Sequence, residues 1–117
     1  MHSLEKIIPH IPSRNIETTV NFLFEIFGFT AQSQMEFYCE LTSRDNTLGI
    51  LKSEDEPNQQ SIYLQVSDVD NLWTKIGTQL RKVNAKPPFN QDYGMREIHV
   101  IIPETNTRLL IGSRLIT

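Results

Sequence analysis

Tyr93–Gly112 reads YGMREIHVIIPETNTRLLIG, and the fold turns on how this stretch is read. Arg96–Pro103 is rich in isoleucine and valine, the composition of a strand. Glu104-Thr105-Asn106-Thr107 supplies turn chemistry, and Arg108–Gly112 resumes an apolar run. The stretch therefore predicts two strands joined by a tight polar turn.

Upstream of it, Ser61–Val66 (SIYLQV) alternates Ile62, Leu64 and Val66 with Ser61, Tyr63 and Gln65, the period of a half-buried strand. Ser67 followed by Asp70 fits a capping box. Val69, Leu72, Trp73, Ile76 and Leu80 then fall on one helical stripe, which predicts a second helix with Trp73 in the core and a weak point at Gly77. Arg81–Asp92 contains Pro87-Pro88 and reads as irregular, with room for a short strand at Lys82–Ala85.

The first half has the same order. Ile7–Ile11 reads as a strand. Asn15 is the expected N-cap of a helix running to about Phe27, with Gly28 as its stop. Ile16, Val20, Leu23, Phe24 and Phe27 recur at helical spacing, with Phe22 and Ile26 adding apolar bulk off that stripe. Phe29–Gln34 is a short strand. In Glu36–Leu41, Phe37, Cys39 and Leu41 alternate with Glu36, Tyr38 and Glu40. Arg44-Asp45-Asn46 turns the chain into Thr47–Lys52. Ser53–Gln60, polar and interrupted by Pro57, is the clearest linker, and the acids Glu54-Asp55-Glu56 most simply solvate it. The chain is thus read as one domain, 1–117, with pseudo-repeats 1–53 and 61–117 and a linker at about 54–60. At an offset of sixty residues Met35 matches Met95, Asn46 matches Asn106 and Thr47 matches Thr107, which puts Asn-Thr at the same hairpin in both halves.

The bulk numbers narrow the function. At 117 residues the chain can bury a core without staples. A net charge of −3 argues against phosphate-driven nucleic-acid binding. The single cysteine, Cys39, excludes an internal disulfide and a multi-thiolate metal site, and its strand position reads as a buried thiol. No run approaches a transmembrane span, and Met1–Lys6 lacks the apolar core of a signal peptide, so the expected setting is cytoplasmic, without a membrane partner. There is no glycine-rich phosphate loop, Ser-centred elbow or Cys-X-X-Cys.

Nearly the whole chain resembles the vicinal oxygen chelate superfamily, the glyoxalase / bleomycin-resistance / dioxygenase fold. The resemblance rests in the first half on Ile8-Pro9-His10-Ile11-Pro12-Ser13-Arg14-Asn15, Thr19-Val20-Asn21-Phe22-Leu23 and Phe27-Gly28-Phe29. In the second it rests on Tyr63-Leu64-Gln65-Val66-Ser67-Asp68-Val69-Asp70-Asn71-Leu72-Trp73, Tyr93-Gly94-Met95-Arg96-Glu97 and Pro103-Glu104-Thr105-Asn106. No one motif is specific; their order and spacing are. The opening looks closest to the bleomycin-resistance branch. Leu23 departs from the usual tyrosine, and Thr105 from the usual glycine, which implies a different backbone in that turn.

The resemblance implies an α+β fold of paired βαβββ modules forming a curled mixed sheet, with helices on the convex face, a concave ligand cup, and a homodimeric site. It also implies where metal-dependent relatives place their ligands: here Ile8, Ser61 and either Leu109 or Leu110. Divalent ions want imidazole, carboxylate or thiolate, so the family's metal site is not expected, and no cofactor is expected either.

Alternation assigns the faces. Ile7, Ile11, Phe37, Leu41, Ile62, Leu64, Val66, Ile98 and Val100 form the apolar set that meets the helices. The opposite face carries His10, Tyr38, Glu40, Ser61, Tyr63, Gln65, Glu97 and His99, with Phe89 and Tyr93 placed to close over it. His10 and His99, with Glu97 or Glu40, offer either a relocated metal site or an acid–base pair; the plainer reading makes each a hydrogen-bonded lining residue. The expected function is a metal-free protein of the bleomycin-resistance type that sequesters a small molecule, cationic and aromatic among the candidates, with no catalytic residue. The rival is a lyase, isomerase or dioxygenase of the same fold with a relocated or histidine-dependent site. A third option is an accessory domain with a vestigial cup.

Overall fold

The computed structural model describes residues 2–55 and 58–115. It resolves into two compact units, Met1–Pro57 with Pro103–Thr105, and Asn58–Ile102 with Asn106–Thr117. Each is one βαβββ module, so the fold is α+β with two four-stranded mixed sheets.

In the first unit β1 (His10–Ser13), α1 (Ile16–Phe27), β2 (Thr30–Gln34), β3 (Tyr38–Ser43) and β4 (Asn46–Lys52) form a sheet of order β1-β4-β3-β2. β1 runs parallel to β4, and the other pairs are antiparallel. Helix α1 contacts β2, β3 and β4. Asn15 caps it by accepting from the Thr18 amide, and Gly28 closes it at φ 71°, a left-handed conformation that costs glycine nothing.

Three expectations fail in this unit. The first strand is His10–Ser13 rather than Ile7–Ile11, and Ile7 is 77% exposed. A proline inside the strand is tolerated because β1 is an edge strand, so Pro12 continues the pairing that the sequence seemed to end. The buried stripe of α1 is Thr19, Phe22, Leu23 and Ile26, rotated from the expected one, and Phe24 lies exposed. Hydrogen bonding lets Thr19 join that face beside Phe22, Leu23 and Ile26. The Thr19 hydroxyl donates to the Pro103 carbonyl at 2.9 Å and meets the Ser13 hydroxyl at 2.7 Å, which makes a polar residue worth burying. Phe37 is also exposed, one residue ahead of β3.

In the second unit β5 (Gln60–Gln65), α2 (Val69–Arg81), β6 (Phe89–Asn90), β7 (Met95–Ile101) and β8 (Thr107–Arg114) repeat the order as β5-β8-β7-β6, with β5 parallel to β8. Helix α2 contacts β7 and β8. Its N-cap is Asp68, which accepts from the Asn71 amide, rather than Ser67. The Ser113 hydroxyl accepts from the Val69 amide and satisfies a further free donor of the first turn. Trp73 is only half-buried: it lies against Gly77, and the Arg81 guanidinium sits 4.9 Å above its ring. Lys82–Ala85 forms a turn rather than a strand, with Asn84 at φ 65° and the amides of Val83 and Ala85 both donating to Leu80. In the last turn Glu104, not Thr105, takes positive φ. Of the expected linker, Glu56 and Pro57 lie outside the described residues.

The strand registers relate the two units. Across the first sheet Ser33, Glu40, Gly49 and His10 lie in one row. Across the second, Phe89, Glu97, Gly112 and Gln65 do. Glu40 thus corresponds to Glu97 and Gly49 to Gly112. Because the β7–β8 connection is longer than the β3–β4 turn, no constant offset relates the halves, and Asn46-Thr47 and Asn106-Thr107 share only their place at the hairpin.

Candidate functional site

The second unit builds a site on the sheet face opposite α2. Ile98, Val100, Leu109 and Ile111 are buried on the helix side. The intervening residues of β7 and β8, Glu97, His99, Leu110 and Gly112, point the other way, as do Ser61, Tyr63 and Gln65 of β5. Phe89 pairs directly with Glu97 across β6–β7 and joins this face. Beyond β6 a tight connection returns the chain to β7: Gln91 N–H donates to the Met95 carbonyl at 2.7 Å, and Gly94 takes φ 87°. That turn places Gln91 and Tyr93 over the strand they precede.

At the centre is Glu97, whose side chain is 0% exposed. Four donors reach it. Oε2 accepts from the Tyr93 hydroxyl at 2.6 Å and the Tyr63 hydroxyl at 2.8 Å. Oε1 bonds His99 Nε2 at 2.8 Å and accepts from Gln91 Nε2 at 3.3 Å. Burial pushes the Glu97 carboxyl up, but the bonds from Tyr93, His99, Tyr63 and Gln91 together outweigh it and hold the group below the ordinary carboxylate value. The tyrosines answer in the opposite direction. Burial and then the Glu97 carboxylate push Tyr63 up to about 12, and the hydrogen bond to Glu97 raises Tyr93. Facing an ionised carboxylate, His99 Nε2 carries a proton, which leaves Nδ1 as the second ring nitrogen. The Phe89 ring meets the imidazole edge-on at 4.9 Å.

Gly112 makes this packing possible. A Cβ there would overlap the Tyr63 hydroxyl and lie 3.0 Å from Glu97 Cγ. The first unit uses its matching glycine in the same way: a Cβ on Gly49 would lie 2.8 Å from both His10 Cδ2 and Tyr38 Cε1. His10 and Tyr38 form an edge-on pair at 5.6 Å, and Glu40 faces Lys6 at 3.7 Å. Glu40 is not enclosed as Glu97 is; its side chain is 27% exposed.

Of the residues singled out from sequence, Tyr63, Phe89, Tyr93, Glu97 and His99 form one cluster in the second unit. Ser61 and Gln65 share its face, exposed, without joining the hydrogen-bonded group. His10, Tyr38 and Glu40 belong to the first unit. Gln91, Gly49 and Gly112 were missed. The glycines carried a signal, since each interrupts an otherwise apolar last strand; Gln91 carried none.

The positions at which the fold's metal ligands would fall do not fit a metal. Ile8 precedes β1, Ser61 offers only a hydroxyl, and of the two candidates for the last position Leu109 is in the core and Leu110 lies between Tyr63 and His99, neither offering a donor atom. Among the described residues no three His, Cys, Asp or Glu side chains converge as a metal site. Of the two carboxylates open to the relocated alternative, Glu97 already takes two donors on each oxygen, and Glu40 lies in the first unit beside Lys6. Among the described residues no helix is long and apolar enough to cross a membrane.

No family model matches the chain, and no curated protein matches it in sequence. Its structure does match. A bleomycin resistance determinant encoded on the transposon Tn5 superposes with a TM-score of 0.78 at 17% identity, covering 97% of this chain and 100% of that one. A bleomycin-binding protein complexed with bleomycin gives 0.78 at 18% identity, covering 95% and 99%. A lactoylglutathione lyase from Agrobacterium tumefaciens gives 0.75 at 11% identity, covering 96% of each chain. At these identities the likeness establishes the fold.

Proposed function

We propose that this chain, which has the vicinal oxygen chelate fold, is a metal-free small-molecule-binding protein of the bleomycin-resistance type. It acts as a cytoplasmic homodimer that sequesters a flat, cationic aromatic compound. The observation that carries the reading is the aromatic wall around a buried, ionised carboxylate. Tyr63 and Phe89 are each 40% exposed and Tyr93 62% exposed, so rings are available for stacking, while Glu97 supplies negative charge from beneath. Sequestration needs affinity and no reacting group, which agrees with the missing metal ligands. Structural neighbours that bind bleomycin support the same choice.

One observation favours an enzyme instead: the Glu97–His99 hydrogen bond orients an imidazole as an acid–base group would be oriented, and a lyase shares the fold. Elemental analysis of purified protein, thermal shift with added divalent ions, and calorimetric titration with bleomycin separate the two. The binding reading expects metal-free protein, a melting temperature unmoved by ions, and saturable binding of bleomycin or a related cationic aromatic compound. Stoichiometric metal that raises the melting temperature and is lost in His99→Ala would overturn it.

A further inference from the structure

The hydrogen bonds around Glu97 have a direction, and the direction limits what the site can say to a ligand. Tyr63 and Tyr93 each own one hydroxyl proton, and both protons point at Glu97 Oε2. His99 directs its Nε2–H at Oε1, beside Gln91 Nε2. Each oxygen therefore holds two donors, and no position remains for a carboxyl proton. What the phenols can still present outward is oxygen lone pairs and ring faces, beside the His99 ring. Leu110, between Tyr63 and His99 in the sheet, adds apolar surface and no donor.

We propose that the Tyr63–Tyr93 face of the second unit, beside His99, is a subsite whose phenols can only accept, selecting flat ligands that carry N–H donors on a cationic ring system and rejecting ligands of the same shape that present acceptors. This rests on the binding reading above and deepens it: Glu97 never touches the ligand, and acts by fixing which way three protons point. A protonated amino-heteroaromatic satisfies both demands, since its ring stacks on Phe89 or a tyrosine and its amino protons meet the outward lone pairs. An aromatic carboxylate of equal size would set its oxygens against those lone pairs, with both phenol protons already turned to Glu97.

The test uses three acridine probes of nearly equal shape with the full-length protein, followed by fluorescence: 9-aminoacridine, a cation with N–H donors; N-methylacridinium, a cation without them; and acridine-9-carboxylate. The expected order is 9-aminoacridine first, N-methylacridinium weaker by about tenfold, the size of one or two lost hydrogen bonds, and the carboxylate unbound. In Glu97→Gln the amide donates to the phenol oxygens and turns their protons outward, so the difference between the two cations shrinks to about twofold or less. Tyr93→Phe, at an exposed position, weakens 9-aminoacridine alone. Equal affinity of the native protein for the two cations, or tight binding of the carboxylate, would overturn the proposal whatever the variants do. If bleomycin binds and none of the acridines does, the subsite proposal falls and the binding reading stands. If nothing binds, both fall.

Discussion

Glu97→Ala is expected to lower stability by about 2–3 kcal/mol at neutral pH, measured by urea unfolding. The side chain is fully enclosed and takes four hydrogen bonds, so truncation leaves a void and removes the acceptor of two phenols, an amide and an imidazole. The loss stays moderate for two reasons: Tyr63 and Tyr93 are exposed enough to regain water, and the native protein already bears the cost of desolvating a carboxylate. The pH dependence follows from the depressed carboxyl. Its contribution is fully present above the ordinary value of 4.5 and is lost as pH falls below that value through the folded-state pKa. A native-minus-variant stability difference that is constant near neutrality and shrinks in acid is therefore expected. A difference that persists unchanged to pH 2 would contradict the ionised hub.

Gly112→Ala is expected to cost about 1–3 kcal/mol and to remove ligand binding at the Tyr63 face. The new Cβ would overlap the Tyr63 hydroxyl and press on Tyr63 Cζ and Glu97 Cγ, each 3.0 Å away. Glu97 cannot move, being enclosed; Tyr63 can, because it is part-exposed. The ring swings outward and its bond to Glu97 breaks. The mechanism predicts a specific non-additivity: in a Tyr63→Phe background, which lacks the overlapping hydroxyl, the same Gly112→Ala change costs less than in the native protein. Equal costs in the two backgrounds, measured by a double-mutant cycle, would show that the glycine is needed for another reason.

The twice-repeated βαβββ order was legible because its signals are local. Asn15 and Gly28 bracket α1, and period-two alternation marks β3 and β5. Alternation along β5 and β7 also separates Tyr63, Gln65, Glu97 and His99 from Ile62, Leu64, Ile98 and Val100, a division that needs no knowledge of pairing. What escaped depended on partners distant in sequence. Thr19 can be buried because Pro103 and Ser13 bond it, which the purely apolar reading of the α1 stripe leaves out. Gly112 matters only once β8 is paired with β7 and β5, and Gln91 only once the β6–β7 turn carries it over Glu97. A list of polar strand residues could not have ranked Glu97 above Glu40. Both face away from their helices, yet one is sealed by four donors and the other remains part-exposed beside a lysine.

Residue-resolved nuclear magnetic resonance of the full-length protein, titrated with 9-aminoacridine and separately with zinc, distinguishes a metal-free binding face from a metal site at His99. The acridine is expected to shift Tyr63, Phe89, Tyr93, His99 and Leu110 together and saturably, while zinc leaves Glu97 and His99 unchanged. Zinc-dependent shifts centred on His99, with none of these residues responding to the acridine, would contradict the metal-free binding face.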